Sequence, residues 1–140
     1  MNDLKINNVI IKKLQALDEV VLELRSLGQV TVEQLDKDWR LRRAIERSLQ
    51  ILVEVVIDVS QRLISIKGQT PANSGTEAIS RCVKMGILSD EEPYRKMIQF
   101  RNFIVHRYEK VDSAIVVDLV NKRLPDFEHF RTEVLNYVQR

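Results

Sequence analysis

The run RNFIVHRYEKVD, residues 101–112, brings an arginine, a histidine and a tyrosine together in a chain that has only two histidines. Arginine stays protonated and offers a planar fork of donors suited to phosphate oxygens. Histidine titrates near neutral pH and can move a proton. Together they are chemically equipped to cleave RNA without a metal ion. The imidazole would take a proton from a ribose hydroxyl or give one to the leaving oxygen, while the guanidinium stabilises charge growing on the phosphoryl group. The other histidine, His129, is far along the chain, and no His/Asp/Glu spacing makes a ligand cluster, so neither a metal nor a cofactor is expected. The same residues also have bland explanations. A histidine near a helix carboxyl terminus can interact with the helix dipole. Arg101 can pair with an acid such as Glu54 or Asp58, and Tyr108 can be an amphipathic core residue.

Helix geometry constrains the chemical reading. Arg101 and His106 are five positions apart, which places them roughly 140° apart around an ideal helix. Arg101 and Tyr108 are seven apart and share a face, about two turns or on the order of 10 Å from each other. A straight helix therefore aligns arginine with tyrosine and turns histidine away. Either the helix distorts before Asp112, or the site is completed by another chain. A symmetric dimer brings two copies of one patch together, and a dimer is the expectation.

The elements that must hold this run are helical. Leu4 to Leu27 carries apolar residues at three-to-four spacing: Ile6, Val9 or Ile10, Lys13 or Leu14, Leu17, Val20 or Val21, and Leu24. Gly28 can end that helix. Thr31 with Gln34 forms a capping-box pattern for a second helix, which meets no proline or glycine before stopping at Gly68. Gln69 to Gly75 (QTPANSG) is loop-like. Thr76 is a candidate cap for a short helix to Met85. Ser89 with Glu92, followed by Pro93, starts the helix that carries the opening run. Asp112 suits the cap of a last helical stretch that Pro125 kinks or restarts. These elements predict one all-α domain over residues 1–140, a bundle of five or six helices.

The second helix is apolar at nearly every position from Ile51 to Val59, so it is expected to be central or to meet a second subunit as well. Gln50, Glu54 and Asp58 lie four apart on one of its faces. They read equally well as a solvent stripe or as a polar seam beside the active cleft or a subunit interface. Lys37, Arg40, Arg42, Arg43 and Arg47 enrich its start, with Arg40, Arg43 and Arg47 on one face. That face could guide an RNA backbone. A solvated face balanced by Asp36, Asp38 and Glu46 is the preferred alternative. Trp39 and Cys82 are expected to be packing residues.

The totals agree with one compact, soluble domain. The chain has 140 residues, 44% of them hydrophobic, with four glycines and three prolines, a scarcity that favours long helices. Its net charge of +2, from 22 basic and 20 acidic residues, does not by itself mark a nucleic-acid binder. A single cysteine excludes an intrachain disulfide and fits a reducing cytoplasm. Neither a secretory signal nor a membrane-length apolar run is visible, so a cytoplasmic location and no membrane contact are expected.

The arginine–four residues–histidine–one residue–tyrosine pattern of Arg101, His106 and Tyr108, with polar Asn102 after the arginine, resembles the HepT-type toxins of the HEPN superfamily. The similarity extends from about Leu49 to Leu135, through QILVEVVIDVSQRLI, GTEAISRCVKMGILSDE and PDFEHF. In the amino-terminal quarter only the helical pattern matches. The resemblance implies an all-helical, dimeric, metal-independent endoribonuclease, the toxin of a type VII toxin–antitoxin pair. It implies an MntA-type minimal nucleotidyltransferase antitoxin as partner and RNA as substrate. It assigns catalysis to Arg101 and His106, a supporting role to Asn102, and attachment of AMP from ATP to Tyr108. Added nucleotides would block RNA by bulk and like charge. The competing expectation is a non-catalytic helical subunit that binds and regulates a nucleotidyltransferase, which needs no chemistry from His106.

Overall fold

A computed structural model describes residues 2–106 and 112–139, with side chains described from Asn7 onward. Among the described residues there are seven helices and no strand: α1 (Asn2–Arg25), α2 (Val32–Lys37), α3 (Trp39–Ile66), α4 (Gly75–Lys84), α5 (Glu92–His106), α6 (Ser113–Lys122) and α7 (Leu124–Val138). The all-α expectation holds, with more helices than the five or six expected.

The additional boundary is at Asp38. The reading of one helix from Thr31 to Lys67 is corrected there, although no proline or glycine marks the break. Asp38 is extended (φ −122°, ψ 91°) and serves two helices at once. Its backbone N–H donates to the Gln34 carbonyl at 2.9 Å, closing α2. Its carboxylate accepts the amides of Arg40 and Leu41 at 3.1 Å, opening α3. A short acidic side chain that captures the next helix's free amides is a strong start signal even inside a helix-permissive run.

Other helix ends follow the sequence more closely. The Thr31–Gln34 capping box is present, at 3.1 and 2.9 Å. Asp112 caps α6 by accepting the Ala114 amide at 2.9 Å. Pro125 lies in the first turn of α7, where its missing N–H costs nothing, so it restarts the chain as a new helix. Two starts differ. Ser74 rather than Thr76 caps α4, accepting the Glu77 amide at 3.1 Å. The Glu92 amide donates to Asp90, while the Ser89 amide donates to Glu133 of α7, so Ser89 ties α7 to the start of α5 instead of forming a capping box.

Helix α3 is the axis of the molecule and packs against all six other helices. Leu49, Leu52, Val53, Val56, Val59, Leu63 and Ile64 are buried along it, and no residue from Leu49 to Ile64 is exposed. The central reading of Ile51–Val59 is therefore satisfied within this chain. From α1, Ile10, Leu14, Leu17, Val21 and Leu24 close onto it. From α5 and α7 come Tyr94, Met97, Phe127 and Phe130, with the Tyr94 and Phe130 rings edge to face at 5.8 Å. Gly75 lets α4 begin tight against this axis. A Cβ there would stand 2.8 Å from Ile57 Cδ1, closer than packed carbons tolerate.

Cys82 is fully buried as expected, its thiol pushed up to about 11 by burial. Trp39 is the opposite. Its side chain is 63% exposed, which corrects the packing role expected for it. No helix among the described residues is long and apolar enough to cross a membrane.

Candidate active site

The apolar stripe of α5 positions the arginine. Tyr94, Met97 and Ile98 are buried at the i, i+3 and i+4 places of one face, and Arg101 occupies the i+7 place where another core residue would follow. The side chain is half-buried. Its guanidinium donates from Nη1 to Asn102 Oδ1 at 3.2 Å, and its buried Nε has no hydrogen-bond partner among the described residues. A buried, unmet donor on an arginine is costly in a finished core. It makes sense where an acceptor arrives from outside.

His106 is the last described residue of α5 and is exposed. The helix runs from Arg101 to His106 without a break, so the two side chains leave the axis roughly 140° apart. No distortion before His106 brings them onto one face. Tyr108 lies outside the described residues, as does the rest of the segment 107–111. The chain is described again at Asp112, the cap of α6.

A buried polar cluster secures that re-entry. Arg42, Glu46 and Ser113 are each at most 6% exposed. Arg42 donates from Nε to Glu46 at 3.1 Å, reaches Asp36 at 3.5 Å, and donates to the Ser113 hydroxyl. Ser113 in turn donates to Asp36 at 2.6 Å. Since Ser113 is the first residue of α6, this cluster holds the chain immediately downstream of the chemical run. Composition does not separate Arg42 from its basic neighbours. The signal available was i,i+4 pairing with Glu46, which is common on exposed faces too.

The seam on α3 divides. Gln50 donates to Glu54 at 3.1 Å, and both are half-buried. Asp58 belongs to the α1–α3 contact, paired with Lys13 at 2.9 Å and Arg62 at 3.1 Å. Burial alone would raise its carboxyl, but the hydrogen bonds from Lys13 and Arg62 hold it below the ordinary carboxylate range. Among the described residues, the Arg101 guanidinium bonds to Asn102 and to neither acid.

Arg40, Arg43 and Arg47 are all exposed, and Arg40 lies over the Trp39 ring at 5.3 Å. The acids expected to balance them are engaged elsewhere. Asp38 caps α3, and Asp36 and Glu46 face Arg42. A separate cavity of about 270 Å³ lies at the amino end of α5, lined by Asp90, Pro93, Lys96, Leu119, Arg123 and Asp126 among others. It includes neither Arg101 nor His106. Among the described residues, no three His, Cys, Asp or Glu side chains are grouped to hold a metal ion.

Residues 4–134 match the profile of a family described as ribonuclease HepT-like. The chain belongs to that family. The match reaches well into α1, further than the stretch from about Leu49 on which the sequence resemblance rested. A curated relative of this HepT-like chain is the mRNA nuclease HepT of Shewanella oneidensis, 24% identical over 127 residues, covering 89% of this chain and 94% of the relative. The fold is shared with the tri-AMPylated HEPN toxin of the same organism, solved in complex with an MNT antitoxin. It superposes with a TM-score of 0.82 at 22% identity, covering 91% of this chain and 97% of that one. YutE of Bacillus subtilis, a cytosolic protein of unknown function, has the same fold with a TM-score of 0.78 at 17% identity, covering 95% and 90% of the two chains.

Proposed function

We propose that this HepT-like chain is the toxin of a toxin–antitoxin pair and cleaves RNA without a metal ion, as a homodimer. The observation that carries the reading is Arg101. It takes a core-stripe position on α5 with a buried Nε left for an outside acceptor, five residues before an exposed His106, in a member of this family. A phosphate oxygen is the acceptor that a guanidinium fork fits. The name of the Shewanella oneidensis relative, an mRNA nuclease, supports RNA as the substrate.

A second copy supplies what the single helix does not. Arg101 and His106 diverge around α5, so a twofold axis near the helix end sets one copy's imidazole against the other copy's guanidinium. Exposed apolar side chains stand where such a contact needs them: Phe103 and Val105 at the end of α5, and Ile115 at the start of α6. Across the axis, one imidazole removes the proton from a ribose 2′-hydroxyl as its oxygen attacks phosphorus. The departing 5′ oxygen takes a proton from water, and the other copy's arginine stabilises the charge on the phosphoryl oxygens. Asn102, which accepts from Arg101, steadies the guanidinium. Gln50 and Glu54 supply a polar wall beside the cleft.

Tyr108 is the site of neutralisation. An MntA-type nucleotidyltransferase transfers AMP from ATP to its phenolic oxygen and releases pyrophosphate. The tri-AMPylated state of the Shewanella oneidensis toxin supports this assignment. Each AMP adds phosphate charge and bulk two residues beyond His106, opposing RNA by repulsion and by volume. The test is intact mass of the chain made with and without the nucleotidyltransferase, followed by peptide mapping. AMP adducts on Tyr108 that vanish in Tyr108→Phe, leaving a variant that cuts RNA and stays toxic beside its antitoxin, are the expected result. Adducts mapped to any other residue, or a Tyr108→Phe variant still silenced, count against it.

Arg40, Arg43 and Arg47 contact the RNA backbone, since their acidic neighbours are engaged elsewhere. Replacing all three by glutamine is expected to weaken RNA binding and lower the slope of log affinity against log salt by about two to three. Equal affinity and an unchanged slope would remove these residues from the interface.

A further inference from the structure

Trp39 is the chain's only tryptophan, and it stands 63% exposed at the first position of α3 even with Arg40 over its ring. Large aromatic side chains gain most from burial, so one held open at the start of the central helix calls for a partner. Its surroundings narrow the choice. Measured around the α3 axis from Trp39, Arg43, Arg47 and Arg40 fall within roughly 100° on one side. Arg42 and Glu46 fall within roughly 60° on the other. The Arg42 side is fixed in place, because Arg42 holds Ser113, the first residue of α6 and the anchor of the segment after His106. Trp39 therefore stands between the anchor of the catalytic segment and an arc of three exposed arginines.

We propose that Trp39 is a stacking platform for a base of single-stranded RNA, with Arg40 flanking that base and Arg43 and Arg47 meeting the neighbouring phosphates. This inference rests on the RNA-cleaving reading above. A flat apolar face bordered by cations complements a chain that alternates aromatic bases with phosphates. Paired bases keep their faces stacked within a duplex, so the platform selects unpaired RNA. The strand then runs from the arginine arc, over Trp39, toward the end of α5.

A single tryptophan makes the test direct. The full chain carrying His106→Ala is titrated with an unstructured oligoribonucleotide, following tryptophan fluorescence and the anisotropy of labelled RNA together. Quenching with the same midpoint as the anisotropy change is expected, with a much weaker response to duplex RNA. In the chain with His106 intact, Trp39→Ala is expected to raise KM about 10-fold while kcat stays unchanged, and Trp39→Phe to recover most of the loss. RNA binding without a fluorescence response, or a Trp39→Ala variant with unaltered KM, overturns the proposal. So does a response to the nucleotidyltransferase alone and none to RNA, which gives this surface to a protein partner. If the chain cuts no RNA but the His106→Ala variant still quenches on binding it, the nuclease reading fails and the stacking platform stands.

Discussion

His106→Ala is expected to slow RNA cleavage by about 10²–10⁴-fold, the range typical of losing a general acid or base. Arg101→Ala is expected to cost about 10²–10³-fold, as for a donor that stabilises charge in the transition state. Cleavage by the unsubstituted chain is expected to persist in excess chelator. These losses must arise from chemistry and not from unfolding, and the structure distinguishes the two. His106 is exposed, so its truncation leaves packing intact. Arg101 holds a buried donor with no partner among the described residues, so removing it relieves a cost instead of creating one. Both variants should keep the helical circular dichroism and unfold within about 1 kcal/mol of the parent. Mixing the two inactive variants adds a sharper measurement. If each site draws its arginine and histidine from different copies, a heterodimer of Arg101→Ala and His106→Ala retains one complete site and regains activity. Full-rate cutting by both single variants refutes the catalytic assignment. Inactive mixtures from chains shown to exchange refute the shared site.

Arg42→Ala is expected to destabilise the fold by about 3 kcal/mol or more, lowering the thermal midpoint by roughly 10 °C. The substitution takes the cation from beside the buried Glu46 carboxylate and removes a donor from buried Ser113. Desolvated charge tolerates that poorly, whereas an exposed ion pair contributes little. The neighbouring Arg43 is a useful control. It is exposed on the same helix, and Arg43→Ala should shift stability by no more than about 0.5 kcal/mol. Combining Arg42→Met with Glu46→Gln should recover part of the loss, because the buried charges leave together. Equal urea midpoints for Arg42→Ala and Arg43→Ala would show that the cluster contributes no stability. Since Arg42 holds the residue after Asp112, the destabilised variant should also lose cleavage at temperatures where α3 remains folded.

The helical class, the caps at Thr31 and Asp112, a central place for the second long helix as one of two readings, and a kink or restart at Pro125 were legible in the linear order of residues. Each depends on neighbours within a turn or two: apolar periodicity, a side-chain oxygen aimed at a nearby amide, or a ring that fixes φ. The spacing of Arg101, His106 and Tyr108 was equally local. It carried both the family resemblance and the divergence of Arg101 from His106, and α5 continues unbroken through His106. Asp38 shows the limit of such reasoning. Aspartate suits a cap, but without proline or glycine the linear pattern was compatible with an uninterrupted helix.

Burial of polar side chains was decided in three dimensions. Arg42 and Arg43 are adjacent and chemically identical, yet one is buried against Glu46 and Ser113 and the other is exposed. Residues 71 positions apart meet in that cluster, and no periodicity within α3 encodes where α6 will arrive. Lys13 and Asp58 meet for the same reason, across two helices that pack at a place set by the whole core. Trp39 was expected inside because large apolar residues usually are, but the turn at Asp38 places it outside the packed layers. The sequence by itself determined which residues can do chemistry and which helix carries them. The tertiary structure decided which charges are neutralised in the interior and which are left for a partner, because that depends on the approach of distant segments.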